Sequence, residues 1–159
     1  MKKTISIVIV LTSVSLLWAA RSNQNAISSA QQKAIEKEIL KVHDEMKTAA
    51  EKLDADALFK YVLDVNDVII ESGELRPTRK DALESTKQDF QQLKSLSYTY
   101  NHQNINIISP TAAVFTGTGT TTATFSDLKM TLGFAETIVF VNRDGQWKVI
   151  HAHRSSTNL

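Results

Sequence analysis

The chain contains no cysteine, which excludes a disulfide framework and a lipid-anchored cysteine and leaves stability in an oxidising compartment to the core alone. It also lacks a dense stripe of lysine and arginine, and its formal charge is only +1. Nucleic-acid binding needs several phosphate-neutralising cations on one face, so that class is set aside. No glycine-rich phosphate loop, nucleophile elbow or internal repeat is visible. The apolar run from Ile5 to Trp18 is diluted by Ser6, Thr12, Ser13 and Ser15, and it is shorter than the about 20 residues a spanning helix needs.

That run is nevertheless the strongest local signal. Met1-Lys2-Lys3 precedes it, Ala19 and Ala20 follow it, and Arg21 to Asn25 is a polar exit. This is the pattern of a cleavable signal peptide over residues 1–22, with the cut after Ala20 or Ser22. The expectation is a secreted or periplasmic protein with no stable membrane anchor after cleavage, whose single domain spans residues 23–159. Loss of Lys2 and Lys3 takes the charge from +1 to −1 (+1 minus 2), and a chain of this size needs only one core.

From Ala26 onward the sequence falls into two halves. In the first, Ile27, Ala30, Ala34, Ile35, Ile39, Val42, Met46, Ala49, Ala50 and Leu53 recur at three- and four-residue steps among Lys, Glu and Gln, which predicts one long amphipathic helix. Asp54 is positioned to cap a second short helix through Ala57, Leu58, Tyr61 and Val62. Val68-Ile69-Ile70 reads as a strand and Glu71-Ser72-Gly73-Glu74 as a turn. Thr78 or Arg79 opens a third helix with Ala82, Leu83, Phe90 and Leu93 on its inner stripe, ending near Lys94.

The second half has a period of two. Leu96 to Ile108, Ala112 to Phe125, Lys129 to Val141 and Trp147 to Ser155 are rich in Thr, Ile, Val, Tyr and Phe, and short connections make them antiparallel neighbours in a four-stranded sheet. Gly117 and Gly119 mark a bend or bulge. Helices first and an antiparallel meander second is an α+β arrangement, with the helices closing the concave side. The outward set includes Val114, Val139 and Val141, apolar enough to want cover, so a homodimer through the outer sheet face is expected.

Glu136-Thr137-Ile138-Val139-Phe140 followed by Asp144-Gly145-Gln146-Trp147 and His151-Ala152-His153-Arg154-Ser155 resembles the SnoaL-like branch of the nuclear transport factor 2 superfamily. The hairpin is similar, in the same register, to the association (hub) domain of calcium/calmodulin-dependent protein kinase II. Leu53 to Leu58 followed by Asp67-Val68-Ile69 resembles the superfamily's opening pattern. The resemblance implies a cone-shaped (cystatin-like) fold with a cavity between sheet and helices, dimers formed by sheet packing, and cavity arginines that bind small carboxylates. One of those arginines falls on Arg154, while another family arginine position is occupied here by Ile138.

The candidate ligand-binding residues are Arg154, Glu136, His153, His151, Tyr61 and Tyr98. Arg154 presents a planar donor fork that suits a carboxylate or an internal Glu136 partner. Glu136, among Phe134, Ile138 and Phe140, is expected to be buried and to need a partner or an elevated pKa. His151 and His153 share a face, and a metal would need Glu136 or His102 to join them; hydrogen-bonded pocket or sheet residues are the simpler reading, and no metal or other cofactor is expected. Trp147 is read as packing. Tyr61, Tyr98 and Tyr100 are possible donors for chemistry of the ketosteroid isomerase-like type, with Asp67 placed near a strand as in many superfamily members. No residue is assigned a catalytic role. The first functional reading is an exported, non-catalytic pocket protein for a small organic ligand, possibly a carboxylate. The second is a small acid–base isomerase, dehydratase or hydrolase acting on an apolar substrate in the same pocket.

Overall fold

In the computed structural model, residues 27–66, 68–71 and 73–159 are described. The leader over residues 1–22, Asp67 and Ser72 lie outside them. The long first helix, α1 (Ser29–Glu51), starts at a capping box in which Ser28 accepts from the Gln31 amide and the Gln31 side chain accepts from the Ser28 amide, satisfying two otherwise open first-turn donors. It ends earlier than the apolar stripe suggests. Leu53 has a left-handed φ of 58°, and bonds from Leu53 N to Ala50 O and from Asp54 N to Ala49 O close the last turn. The expected last member of the stripe is thus the residue that stops it.

Asp54 caps α2 (Ala55–Phe59) by accepting from the Ala57 amide. The expected third helix is α3 (Arg79–Gln92), capped by Thr78; Leu93 already belongs to the next strand. Arg79 reaches back to the carbonyls of Phe59 and Val62 at 2.7 and 3.0 Å, which ties the start of α3 to the end of α2.

The sheet has six strands, not four, in the order β2-β1-β6-β5-β4-β3. β3 (Leu93–Ser109), β4 (Ala112–Phe125), β5 (Leu128–Arg143) and β6 (Gln146–Asn158) form the expected antiparallel meander. Two short strands, β1 (Ile69–Glu71) and β2 (Glu74–Arg76), extend it. β1 runs parallel to β6, with Ile69, Ile70 and Glu71 opposite Ala152, His153 and Arg154. The sheet is therefore mixed rather than wholly antiparallel. The expected turn from Glu71 to Glu74 closes a tight hairpin between β1 and β2, with Gly73 at φ 85°.

Gly117 and Gly119 do accompany a bulge, but it lies on the neighbouring strand, between Tyr100 and His102 of β3. A Cβ on Gly119 would come within 2.0 Å of the Thr99 carbonyl oxygen, and one on Gly117 within 2.9 Å of the Tyr100 ring. These glycines let β3 close in and seat Tyr100.

Alternation divides the sheet into two faces. The inner one carries Phe115, Ile138, Phe140, Trp147 and Val149, which pack with Ile35, Ile39 and Met46 of α1, with Phe59, and with Ala82 of α3. Trp147 is buried, as read, and its indole N–H donates to Glu38 on α1 at 2.9 Å. On the outer face, Val114, Thr116, Thr118, Thr120 and Thr122 of β4 stand opposite Val139, Thr137, Ala135, Gly133 and Thr131 of β5.

Candidate functional site

The inner face and the helices enclose a cavity of about 390 Å³. Its walls are mostly apolar, with Met46 and Ala50 from α1, Leu58 and Phe59 from α2, Phe90 from α3, and Leu96, Leu132, Ile138 and Val149 from the sheet. Two lining cations are paired: Lys47 with Glu51 at 3.4 Å and Arg76 with Glu74 at 2.7 Å.

The polar lining of the cavity includes Ser85, Thr86, Asp89 and Thr121, and a hydrogen-bonded cluster of five side chains. Glu136 and Arg154 are directly opposite on β5 and β6, so both point inward. Arg154 donates through Nε and Nη2 to Glu136 Oε2 at 3.2 and 2.6 Å, and through Nη1 to the Tyr98 hydroxyl at 2.9 Å. Its guanidinium lies 4.8 Å from the Tyr98 ring centre and 5.2 Å from that of Phe134, so aromatic faces replace part of its hydration. The other carboxylate oxygen, Oε1, accepts from the Tyr100 hydroxyl at 2.5 Å and contacts His43 Nε2 at 3.3 Å. A carboxylate only accepts, and the Tyr100 proton is already given to Oε1, so the pattern assigns a proton to His43 Nε2. His43 is buried, stacked on Phe115 at 4.1 Å, and its Nδ1 has no hydrogen-bond partner among the described residues.

These contacts set the charges. Burial is the largest single influence on the Glu136 carboxyl and pushes it up. The His43 hydrogen bond, the Arg154 charge and the bonds from Tyr100 and Arg154 outweigh it, and the carboxyl falls from 4.5 to about 2. Burial, and then the Glu136 charge, raise the Tyr100 phenol far above its ordinary 10.0. Burial opposes the Arg154 charge, yet Tyr98 and Glu136 more than compensate and raise it. Near neutrality the cluster is an ionised pair flanked by a phenol that keeps its proton. The elevated pKa considered for Glu136 does not occur, because its partners win over its burial.

Of the residues singled out from sequence, Glu136, Arg154 and Tyr98 meet in the cavity, together with Tyr100. Tyr61 does not. It follows α2, lies outside the cavity lining, and donates its hydroxyl to Glu45 on α1; that bond, then burial, raise its phenol. His151 and His153 stand opposite Val139 and Thr137, which places them on the outer face. His153 nevertheless lines the cavity, as does Ile70, its neighbour on β1. The two histidines cannot converge with the inward Glu136, and among the described residues no group of three or more metal-ligating side chains is found. His43 was missed. It sits four residues after Ile39 and three before Met46, on the stripe of α1, and a polar residue in phase with buried ones is the signal that would have found it.

A family model described as a SnoaL-like domain matches residues 39–158. No curated protein matches significantly by sequence. Among solved structures, a protein named a scytalone dehydratase from Novosphingobium aromaticivorans is similar at 13% identity and a TM-score of 0.75, covering 82% of this chain and 89% of that one. A protein named a calcium/calmodulin dependent protein kinase II association domain from Xanthomonas campestris is similar at 20% identity and a TM-score of 0.67, covering 76% and 86%. The hexachlorocyclohexane dehydrochlorinase LinA-type3 of Novosphingobium barchaimii is similar at 13% identity and 0.70, covering 81% and 90%. At these identities the likeness is one of fold: helices on a curved, unclosed mixed sheet.

Proposed function

The chain belongs to the SnoaL-like domain family, whose model spans residues 39–158, and on that premise we propose that it is an exported protein that holds a small organic ligand in its cavity without transforming it, and works as a homodimer. The observation that carries this reading is the state of Glu136. Both of its oxygens are engaged, and its carboxyl is held at about 2. A general base works best with a pKa near the operating pH, so Glu136 is poorly suited to take a proton and well suited to anchor a rigid floor.

Arg154 spends three of its donors on Glu136 and Tyr98. Of the five N–H groups of a guanidinium, about two are left for an acceptor on the ligand. A mostly apolar molecule ending in a carbonyl or carboxylate fits walls and floor together. Export rests on the leader pattern of residues 1–22, and the homodimer on the uncharged outer face.

The acid–base alternative is favoured by one observation: His43 shares the Glu136 carboxylate inside an apolar cavity, and a carboxylate-held imidazole is a familiar proton acceptor. The names of the dehydratase and dehydrochlorinase with the same fold agree with it. Mass spectrometry of small molecules released from protein purified from its native cells separates the readings. A molecule that is recovered unchanged after incubation with fresh protein supports binding. Conversion of that molecule, lost in Glu136→Gln and His43→Ala, supports the enzyme and overturns the first reading. Intact mass of the exported form tests the leader: a chain starting between Arg21 and Asn23 is expected, and retention of Lys2 and Lys3 overturns export by cleavage.

A further inference from the structure

Imidazoles aside, the bases among the described residues that line the cavity are Lys47, Arg76 and Arg154. Each already stands in an ion pair, with Glu51 at 3.4 Å, Glu74 at 2.7 Å and Glu136 at 2.6 Å. Glu71 and Asp89 line the cavity as well, so with Glu136 the lining acids equal the lining bases in number, and Glu51 and Glu74 add two more. Of the residues from Asn23 onward that lie outside the described set, Asn23 to Ala26, Asp67 and Ser72, none is basic. The field over the cavity therefore carries no surplus of positive charge.

The floor repeats this balance at close range. Glu136 meets Arg154 directly across the β5–β6 ladder, and its carboxyl, held at about 2, keeps its charge near neutrality. The guanidinium thus faces the cavity with its charge matched and some of its N–H groups open. Beside it, the Tyr98 hydroxyl accepts from Nη1 at 2.9 Å, and that bond leaves the phenol its own proton to give to another acceptor. Both side chains line the cavity. A phenol O–H and a guanidinium N–H side by side offer two hydrogen bonds to one oxygen with little net charge behind them.

We propose that Glu136 sets the charge selectivity of the cavity by neutralising Arg154, so that the site takes an uncharged carbonyl group (a ketone, ester or amide) and rejects the carboxylate of the same frame. The proposal rests on the ligand-binding reading above and narrows its ligand. A ketone oxygen takes the Tyr98 proton and an Arg154 N–H through its two lone pairs and needs no counter-charge. A carboxylate on the same donors would stand about 6 Å from that of Glu136. At that distance and an effective dielectric of about 20, their repulsion weakens binding on the order of 100-fold and cancels most of what Arg154 attracts. What is left does not offset the hydration a carboxylate gives up on entering an apolar cavity. Removing the charge of Glu136 while keeping its shape reverses the preference, because Arg154 then stands unmatched.

Titration calorimetry of the exported chain near pH 8 tests this, with aryl methyl ketones graded from phenyl to anthracenyl, and the arylcarboxylate of each frame, as probes. In the parent the best-fitting ketone should bind at least about 10-fold more tightly than its carboxylate. Glu136→Gln should tighten carboxylate binding on the order of 100-fold and leave the ketone within about threefold, so that the order reverses. A merely structural role for Glu136 would weaken both probes alike. Tyr98→Phe should weaken the ketone about 3- to 10-fold, and together with the parent ranking it carries the test where Glu136→Gln does not fold. A carboxylate bound as tightly as its ketone in the parent overturns the proposal, and so does an unreversed order in folded Glu136→Gln. Failure of every ketone to bind overturns it too, whereas the ligand-binding reading stands or falls on the molecule recovered from native cells. A ketone recovered chemically altered overturns the non-catalytic reading and supports the preference for an uncharged carbonyl.

Discussion

The inner and outer faces of the curved sheet are built by the same strands, residue by alternate residue, and solve the problem of polarity in opposite ways. The inner face buries one carboxylate and surrounds it with a guanidinium, two phenols and an imidazole, so that every oxygen of Glu136 is met. The outer face avoids charge except at its ends and fills its rows with threonine, serine, asparagine and valine. Charge inside has to be paired, because removing one partner strands the other. Polarity outside can stay generic, because water or a second surface satisfies hydroxyls from many directions. Substitution should therefore be expensive on one face and nearly free on the other.

The largest effect is expected at Arg154. Arg154→Ala leaves Glu136, whose side chain is 4% exposed, without its counter-charge and should cost about 3 kcal/mol in urea unfolding, at the low end for a broken buried pair because Arg154 itself is partly open. Arg154→Ala/Glu136→Gln should recover more than half of that loss; strictly additive losses would mean that the two residues are not coupled.

Acid acts on the same pair. The folded-state carboxyl of Glu136 lies at about 2 against an ordinary 4.5, so the unfolded chain binds the extra proton between those values. The stabilisation is fully present above about pH 4.5 and is lost as pH falls toward 2, up to about 3 kcal/mol in total. Urea midpoints between pH 6 and 2 should fall through that window in the parent and fall less in Glu136→Gln. Equal slopes would place the loss elsewhere.

The glycines come next. Gly117→Ala should cost about 1 to 3 kcal/mol and alter the near-ultraviolet signal of the displaced Tyr100. Gly119→Ala should cost more, because its Cβ meets a backbone oxygen at 2.0 Å rather than the edge of a ring. The smallest effect is expected outside: Thr118→Val should change monomer stability by no more than about 0.5 kcal/mol. A loss as large as that at Gly117 would mean that the two faces are not distinct in the way described.

How much of this could be read from the chain follows the range of each interaction. The meander was legible because its period of two is local, and the same alternation placed Glu136 inward between Phe134 and Ile138. Arg154 and Glu136 could be paired because a short turn joins their strands, and the hairpin resemblance pointed to the same two residues. Val68 to Ile70 was legible as a strand, one residue ahead of β1, but its place in the sheet and β2 escaped, because three residues carry no period and because the anchor, the parallel ladder to β6, joins positions some eighty residues apart. His43 escaped for a different reason: an apolar stripe was traced by its apolar members alone. Tyr61 lies off the cavity because, past the end of α2 at Phe59, its hydroxyl bonds Glu45 on α1, while Val62 beside it lines the cavity.

The burial of Trp147 has a practical consequence. The chain holds two tryptophans, and the other is Trp18, so a chain beginning after Ser22 carries a single indole. That indole joins the last strand to Glu38 on α1, the helix that roofs the cavity. Intrinsic fluorescence then comes from one seam, and a red shift of emission without loss of far-ultraviolet ellipticity would register the roof lifting while the strands beneath it hold.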